Sequence, residues 1–393
     1  MKLNPHAELD AYVHSLTATR IKFIHLPPLE THKGLSPANF ITTLVQTHVP
    51  LVKQAATNIF QYSTSVLDSH RLAGFVLDMF FPSFIDLGNE LGVPSYVFYA
   101  SDAAFLGFQF YALGLHDEQN VNIFELKDSD TESTIPSYLN PVSSKLFPTV
   151  MLKPESLPMM NTLARGLRKA KGIMINTFWE LESHAISSLS EASAPPVYPV
   201  GPILNLKSES EVHQSSDIMK WLDEQPPSSV VFLCFGSGGS FKGDQVKEIA
   251  CALEQSGHRF LWSLRQSPDP SKGPMASPTD YDDASEVLPK GFLDRTHGIG
   301  KIIGWAPQLA ILGHPAIGGF VSHCGWNLTL ESIWFEVPIA AWPIFAEQQL
   351  NALKLVRELG LAVEIKTDYR RDGIGSDEIE IVSAKTIEKG KGA

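Results

Sequence analysis

The chain has 393 residues, of which 44% are hydrophobic and 19% are charged. This composition is typical of a soluble globular protein, and the length exceeds what one ordinary hydrophobic core fills, so two domains are expected. The formal net charge is -12, and no basic block offsets it, which argues against nucleic acid and anionic membranes as partners.

The cysteines exclude two further classes of protein. The chain has three of them, Cys234, Cys251 and Cys324, and none belongs to a C-x-x-C pair. This pattern is not that of a disulfide framework or a zinc site, and no metal is expected.

The first twenty residues lack the apolar core of a signal peptide, and no apolar run is long enough to span a bilayer. These features predict a cytoplasmic protein, and we expect a monomer.

The first half alternates strand-like apolar runs with helix-like segments, which is typical of an α/β domain. Residues 125–160 are rich in Ser, Pro and Asp without clear periodicity, and they are predicted to be mostly loop. Strands are predicted at residues 21–26, 73–78, 93–100 and 172–177, and helices at residues 37–60 and 82–92.

A proline-rich and then polar segment separates the two halves. Residues 195–216 carry four prolines followed by a polar run, which is typical of a linker. We therefore predict a first domain at residues 1–203, a linker at 204–218 and a second domain at 219–393. The simplest architecture is two Rossmann-like α/β domains that face each other.

The second half has the clearer pattern. A buried strand at residues 230–236 runs into the small-residue turn GSGGS, and a helix with Gly257 as its cap follows. Further strands are predicted at residues 259–265, 301–304, 318–322 and 338–342, and a helix at residues 348–358.

Polar and aromatic residues follow four of these strands. In open parallel sheets, ligands bind beyond the carboxyl ends of the strands, so these residues are expected to meet at one rim. A helix opens at Gly325, and its free N–H groups and dipole favour a diphosphate. The residues at the four strand ends are Ser237, Trp305, His323 and the segment 345–348.

Each of these residues also has a structural explanation when taken alone. A Trp after a strand is more often part of a core, and a His at a strand end more often makes a structural hydrogen bond. His323 and Cys324 suggest a nucleophile–base pair, but neighbouring side chains on an extended segment point to opposite faces. The convergence of four strand ends is therefore stronger evidence than any single residue.

The whole segment 305–348 resembles the C-terminal signature box of plant family 1 UDP-sugar glycosyltransferases. It contains WAPQ, GGFVSHCGWN, LES and AEQ, and similar matches occur as GFVLDMF, INTFWELE and WLDEQPPSSVVFLCFGS. The resemblance is to the branch that glucosylates flavonoids, other phenolics and plant hormones. It implies a GT-B fold that binds a UDP-sugar in the second half and a small-molecule acceptor in the first, without a cofactor.

The resemblance also implies a role for each matching residue. Trp305 stacks on uracil and Gln308 contacts it, whereas Glu331 binds ribose. The last position of the box, Gln348, is associated with glucose, so UDP-glucose is the expected donor. The implied phosphate contacts are Ser237, His323 and Asn327, the implied sugar contacts are Trp326, Glu347 and Gln348, and Ala306, Gly325 and Leu328 complete the donor-binding set.

The implied reaction is a single inverting displacement. A His in an N-terminal G-x-G-H turn takes the proton of the acceptor hydroxyl, and an Asp orients that His. Asp78 matches the Asp, although a cap or turn carboxylate is an equally good explanation. No G-x-G-H turn occurs in the sequence. We therefore expect that the first domain is incomplete by about 30 residues or more, and that the far end is also short.

Three further positions depart from the family pattern. Leu328 stands where Ser is usual, Glu336 where Gly is usual, and Ala100 where many relatives have Thr. Because Leu328→Ser restores a hydroxyl near a helix N-terminus, the sequence predicts that this change tightens UDP binding modestly.

Two hypotheses from different classes follow. The first is a UDP-glucose-dependent inverting O-glucosyltransferase for a small phenolic or other secondary metabolite, with activity that is slow or absent because the base is missing. The alternative is a non-catalytic UDP-sugar-binding remnant or splice form. A nicotinamide oxidoreductase is a weaker third option, since no G-x-G-x-x-G follows any predicted strand.

Overall fold

The computed structural model describes most of the chain. Residues 207–215, which make up much of the predicted linker, lie outside the described residues. The described residues are Val13 and residues 21–26, 37–65, 72–126, 131–191, 194–206, 216–269, 271, 276–369 and 380–389.

A four-stranded parallel sheet with the order β1-β2-β5-β6 forms the centre of the first half. Four of its helices lie in the connections between strands, as parallel pairing requires, and α1 precedes β1. The strands of this half are β1 (Phe75–Asp78), β2 (Ser95–Tyr99), β3 (Glu132–Ser133), β4 (Val142–Ser143), β5 (Gly172–Ile175) and β6 (Val197–Pro199), of which β3 and β4 form a separate two-stranded sheet. The helices are α1 (Pro37–Ser65), α2 (Ile85–Glu90), α3 (Ala103–Gln119), α4 (Leu157–Arg168) and α5 (Trp179–Glu191).

The helix α3 runs through the core of this half. Asp102 caps its start, because a side-chain oxygen of Asp102 accepts a hydrogen bond of 2.7 Å from the backbone N–H of Phe105. Asn120 ends it in the left-handed conformation with φ 55°. Leu106 and Phe108 are fully buried within it. This helix fixes the position of the loop that precedes it.

A six-stranded parallel sheet with the order β11-β8-β7-β12-β13-β14 forms the second half. The strands of this half are β7 (Val230–Cys234), β8 (Arg259–Ser263), β9 (Arg265–Gln266), β10 (Thr279–Asp280), β11 (Gly300–Ile303), β12 (Ile317–Ser322), β13 (Ile339–Ala341) and β14 (Ala362–Glu364), of which β9 and β10 form a separate two-stranded sheet. The helices are α6 (Ser216–Asp223), α7 (Gly243–Ser256), α8 (Phe292–Arg295), α9 (Gln308–Leu312), α10 (Trp326–Trp334), α11 (Gln348–Leu353) and α12 (Ala384–Lys389), and a π-helix follows α11 at Lys354–Glu358.

Apolar clusters lie on both faces of the second sheet, which is why its strands are continuous apolar runs in the sequence. One cluster contains Trp262 and Trp342, and the other contains Phe232 and Phe320, whose rings stack with centroids 5.3 Å apart. Every strand predicted in this half is observed. The predicted helix before Gly257 is also confirmed, and Gly257 caps it with φ 62°.

The two halves share apolar contacts. Leu350 and Leu353 of α11 belong to the core cluster of the first half. Leu181 of α5 packs with Trp326 and Leu330 of α10 in a separate cluster. Two α/β units that face each other confirm the architecture that the sequence predicts.

Two parts of the first half differ from the sequence prediction. Residues 21–26 form no strand, and Ile21, Phe23 and Ile24 are exposed. The helices α3, α4 and α5 were not predicted. The helix α3 is buried on most of its surface, so it lacks an amphipathic pattern. Within the described part of the chain, β1 pairs on one side only, and Val76 in it is 67% exposed. No described helix is both long enough and apolar enough to cross a bilayer.

Candidate donor site at the strand ends of the second half

The carboxyl ends of the central strands lie side by side. Ser322, the last residue of β12, pairs in register with Cys234 of β7 and Ala341 of β13. The residues that follow these strands therefore start from neighbouring positions on one edge of the sheet. This placement agrees with the predicted rim for Ser237, His323 and the segment 345–348.

His323 is packed between two glycines. A Cβ on Gly236 would lie 2.7 Å from His323 Cε1, and a Cβ on Gly325 would lie 2.6 Å from His323 Nε2. Only glycine leaves room for the ring at both positions. Burial lowers the pKa of His323 to about 4, so the imidazole is neutral near pH 7. Among the described residues its buried Nδ1 has no hydrogen-bond partner, which leaves it available to a ligand.

The helix α10 begins beside this imidazole. Gly325 is its N-cap residue, and no side chain caps the helix there, so its first N–H groups are free. Asn327 is exposed and Trp326 is buried. Glu331 lies half-buried farther along the same helix. A helix N-terminus with free N–H groups next to a neutral imidazole can bind an anionic group such as a diphosphate.

Leu328 does not fit the expected role of its side chain. It is 9% exposed and belongs to the apolar cluster that contains Phe232 and Phe320. Its side chain therefore packs into the core, and only its backbone N–H remains as a phosphate donor. This packing argues against the expectation that Leu328→Ser tightens UDP binding.

Trp305 follows β11 and remains 47% exposed. The guanidinium of Arg265 lies 5.2 Å from the centroid of its ring, and Arg265 is itself held by Asp280 through a 2.9 Å ion pair. The indole is therefore supported by a cation and still offers surface for stacking. Sequence reasoning missed Arg265, although its position at the end of an apolar strand was the available signal.

The residues near Trp305 already make contacts within the protein. Ala306 is buried, and the side-chain amide of Gln308 donates a hydrogen bond of 3.2 Å to Cys234 Sγ. Burial raises the pKa of this thiol to about 11, so it remains protonated. A uracil edge would have to share the Gln308 amide with Cys234 or use its carbonyl oxygen.

Glu347 and Gln348 have different environments. The side-chain oxygen of Gln348 accepts hydrogen bonds of 3.0 Å from the N–H groups of Ile344 and Phe345, which directs the remaining NH₂ group elsewhere. Glu347 accepts a hydrogen bond of 3.1 Å from Ser101 of the first half. Burial raises the pKa of the Glu347 carboxyl. The pair thus offers a carboxylate and an amide donor, which suits sugar hydroxyls. Sequence reasoning missed Ser101.

Asp78 and Ser237 are both exposed. A side-chain oxygen of Asp78 accepts a 2.9 Å hydrogen bond from the backbone N–H of Phe80, which makes it a turn carboxylate at the end of β1. Ser237 lies in the turn after β7. None of the described contacts holds its hydroxyl in one position. The geometry therefore leaves both explanations of Asp78 open.

Comparison with known proteins identifies the family of the chain. Residues 168–370 match the family described as UDP-glucoronosyl and UDP-glucosyl transferase. The chain belongs to this family. It is 53% identical over 385 residues to anthocyanidin 3-O-glucosyltransferase 1 of Manihot esculenta, across 98% of this chain and 82% of that protein. It is 53% identical over 396 residues to UDP-glycosyltransferase 71A15 of Malus domestica, across 99% and 82%.

Solved structures of glycosyltransferases share the fold. A UGT transferase from Siraitia grosvenorii in complex with UDP has a TM-score of 0.82 and 48% identity, covering 92% of this chain and 77% of that one. UGT71G1 of Medicago truncatula, complexed with UDP-glucose, has a TM-score of 0.82 and 41% identity, covering 97% and 79%. The chain is thus a plant family 1 UDP-glycosyltransferase with the GT-B fold.

Proposed function

We propose that this glycosyltransferase moves glucose from UDP-glucose to a hydroxyl of a small phenolic or related secondary metabolite, with inversion at the anomeric carbon. The observation that carries the proposal is the unpartnered His323 Nδ1 beside the free N-terminus of α10, at the edge where Trp305 and Gln348 also lie. Relatives named as anthocyanidin and flavonoid 3-O-glucosyltransferases support the choice of acceptor class.

Each part of the donor has a matching part of the rim. The exposed indole of Trp305 takes the uracil, and the start of α10 with His323 takes the diphosphate. Glu331 takes the ribose, and Glu347 with the amide of Gln348 takes the glucose. Because His323 is neutral near pH 7, it offers an N–H donor rather than a charge, and the helix dipole supplies most of the attraction.

The proposal assigns the acceptor to residues 1–203 and the donor to residues 219–393, with residues 204–218 as the connection. In this arrangement Asp78 lies on the acceptor side, at the position that matches the base-orienting Asp of the family. The reaction is proposed to need no metal or cofactor, and the protein to act as a cytoplasmic monomer. Gel filtration with light scattering tests the monomer directly.

A second candidate, a protein that binds the UDP-sugar without turning it over, is favoured by one observation. No G-x-G-H turn occurs in the sequence to supply the base. A positioned base typically contributes 10²–10⁴-fold to the rate. This candidate therefore predicts donor binding with a transfer rate lower by about that factor.

One experiment separates the candidates. The purified chain is incubated with UDP-glucose and a flavonol, glucoside is measured by mass spectrometry, and UDP is titrated by calorimetry in parallel. Binding with glucoside formation supports transfer, and binding without it supports the second candidate. Absence of UDP binding would contradict both.

A matched pair of variants tests the placement of uracil. Trp305→Ala is expected to weaken UDP binding by about 1–3 kcal/mol, the usual value of one base–aromatic stack. Trp179→Ala is the control, because Trp179 is similarly exposed, at 51%, but lies in the first half. If the two changes weakened UDP binding equally, Trp305 would not be the residue that stacks on uracil.

A further inference from the structure

A buried ion pair joins the two halves of the molecule. The ammonium of Lys354 contacts Glu182 Oε1, and their side chains are 5% and 0% exposed. Glu182 belongs to α5 in the first half, and Lys354 directly follows α11 in the second. The two residues are 172 positions apart in the sequence.

Both partners lie where a helix departs from α geometry. Glu182 has φ -134° and ψ 31° inside α5, and Lys354 is the first residue of a π-helix. Such irregularities cost free energy and occur often at functional sites, where they aim a particular side chain. Here each irregularity directs a charged group into the contact between the halves.

The Glu182 carboxylate is held by the first turn of α3. It accepts hydrogen bonds of 2.9 Å from the N–H of Ala103 and 3.2 Å from the N–H of Ala104. Ser101, just before this helix, donates its hydrogen bond to Glu347. The same end of α3 therefore holds both the ion pair and the sugar-facing carboxylate.

The Lys354 ammonium is placed on the donor side. It lies 5.7 Å from the centroid of the Trp326 ring. It also follows directly after α11, the helix that begins at Gln348. One cation thus lies over the Trp326 ring and stands at the end of the helix that begins at Gln348.

Stability alone does not explain a pair of this kind. Removing two charges from water costs several kcal/mol per ion, and apolar residues of similar volume often give an equally stable protein. The pair does fix the arrangement of the two halves, because each buried charge reaches its partner in one arrangement only. The arrangement around it, with Trp326, Glu347 and Gln348, is that of a positioning device.

We propose that Glu182 and Lys354 are positioning residues that set the affinity for the sugar part of the donor without contacting it. They do so by fixing Trp326 and the Glu347–Gln348 pair against the first half. This inference rests on the proposed donor site. It predicts that loss of the pair changes binding of UDP-glucose and leaves binding of UDP nearly unchanged.

The test measures the two ligands separately by calorimetry on the full chain. Lys354→Met is expected to raise the Kd for UDP-glucose about tenfold, equivalent to about 1.4 kcal/mol, and to change the Kd for UDP less than about twofold. Glu182→Gln keeps the oxygen that accepts from Ala103 and is expected to act in the same direction. The double variant Glu182→Gln with Lys354→Met has no buried charge at this pair. It is therefore expected to fold even where the single Lys354 change does not. It is also expected to show the same selective loss of UDP-glucose binding.

Glu358→Gln is the matched control. Glu358 lies four residues after Lys354 in the same π-helix, and it also joins the halves by accepting hydrogen bonds of 2.8 Å and 3.3 Å from the N–H groups of Leu139 and Asn140. Unchanged binding of both ligands is expected for it.

Two outcomes would overturn the inference, and a third would overturn the proposed function. If the double variant bound UDP-glucose as tightly as the unaltered chain does, Glu182 and Lys354 would not be positioning residues. An equal loss for UDP and UDP-glucose, with a lowered Tm, would make the pair merely structural. Failure of the unaltered chain to bind either ligand would instead overturn the proposed function on which the inference rests.

Discussion

The indole Nε1 of Trp326 donates a hydrogen bond of 2.7 Å to the backbone carbonyl of Asn176. Trp326 opens the helix α10 at the diphosphate end of the proposed donor site, whereas Asn176 follows β5 in the other half. The side chain of Asn176 in turn accepts a 2.7 Å hydrogen bond from the N–H of Ile203. The Trp326 ring of the proposed donor site is thus held by a loop of the first half, which is itself bonded to the start of the connection between the halves.

Trp326→Phe tests this bond. The change leaves a buried carbonyl without its donor, so the free energy of unfolding is expected to fall by about 1–3 kcal/mol in urea denaturation. Trp334→Phe is the control on the same helix, because Trp334 is 52% exposed. It is expected to stay within about 0.5 kcal/mol of the unaltered chain. An effect of Trp326→Phe no larger than the control would show that the bond carries no stability.

Asp102→Asn tests a buried carboxyl at the start of α3. Burial and then the charge of Glu182 raise the pKa of Asp102 to about 7, against the opposing charge of Lys354, and Glu347 raises it further. The folded chain therefore holds a proton on Asp102 between about pH 4 and pH 7 that the unfolded chain releases. Its contribution to stability is present at the low end of this window and is lost as the pH rises to about 7.

Asn keeps the cap that accepts from Phe105 and removes the titration. The gain in Tm of Asp102→Asn over the unaltered chain is therefore expected to be larger at pH 8 than at pH 4.5, as measured by calorimetry. Asp86→Asn, at an exposed carboxyl of α2 that is paired with Lys169, serves as the control for the same substitution at the surface. A difference in Tm that is independent of pH would contradict the raised pKa.

Leu328→Ser is expected to destabilise the protein rather than to improve the donor site. Removing a buried Leu side chain from the cluster around Phe232 costs about 2–5 kcal/mol, and a buried hydroxyl adds to that cost. Leu328→Met conserves the volume and is expected to cost less than about 1.5 kcal/mol. Thermal melting and a UDP titration check both. Tighter UDP binding by the Ser variant would show that this side chain turns towards the phosphates.

Glu336→Gly is expected to stabilise the chain by about 0.5–1 kcal/mol. Glu336 is exposed and has φ 58°, a left-handed conformation that costs a non-glycine residue roughly 1–2 kcal/mol, and the greater freedom of Gly in the unfolded chain cancels part of the gain. Glu336→Gln keeps the strain and serves as the control. Equal stability of the two variants in urea would show that the turn relaxes without cost.

The sequence predicted the second half well because its strands are buried on both faces and flanked by turns, as in β7 and β12. The same local pattern at residues 21–26 produced no strand, since an apolar run does not specify a pairing partner. The helix α3 was missed for the opposite reason. It is surrounded by core and shows no polar face from which a helical period could be read.

The residues of the proposed donor site could be predicted individually from the sequence, but their packing and hydrogen bonds could not. That Gln348 uses its oxygen on backbone N–H groups, or that Leu328 packs into the core, depends on packing across the chain. The Lys354–Glu182 pair could not be read at all, because its partners are far apart in sequence and each looks like an ordinary surface charge on a helix. The left-handed Glu336 was visible only as a departure from the Gly that the family usually has there.

Among the described residues β1 pairs on one side only, and this has a consequence for the behaviour of the protein in solution. A strand edge of this kind, with an exposed Val76, presents N–H and C=O groups that another chain can pair with. The net charge of -12 keeps copies apart at low ionic strength. Near 1 M salt the Debye length shrinks to about 3 Å, and this repulsion vanishes. Concentrated stocks of this enzyme should therefore scatter more light as salt is added, the reverse of ordinary salting-in.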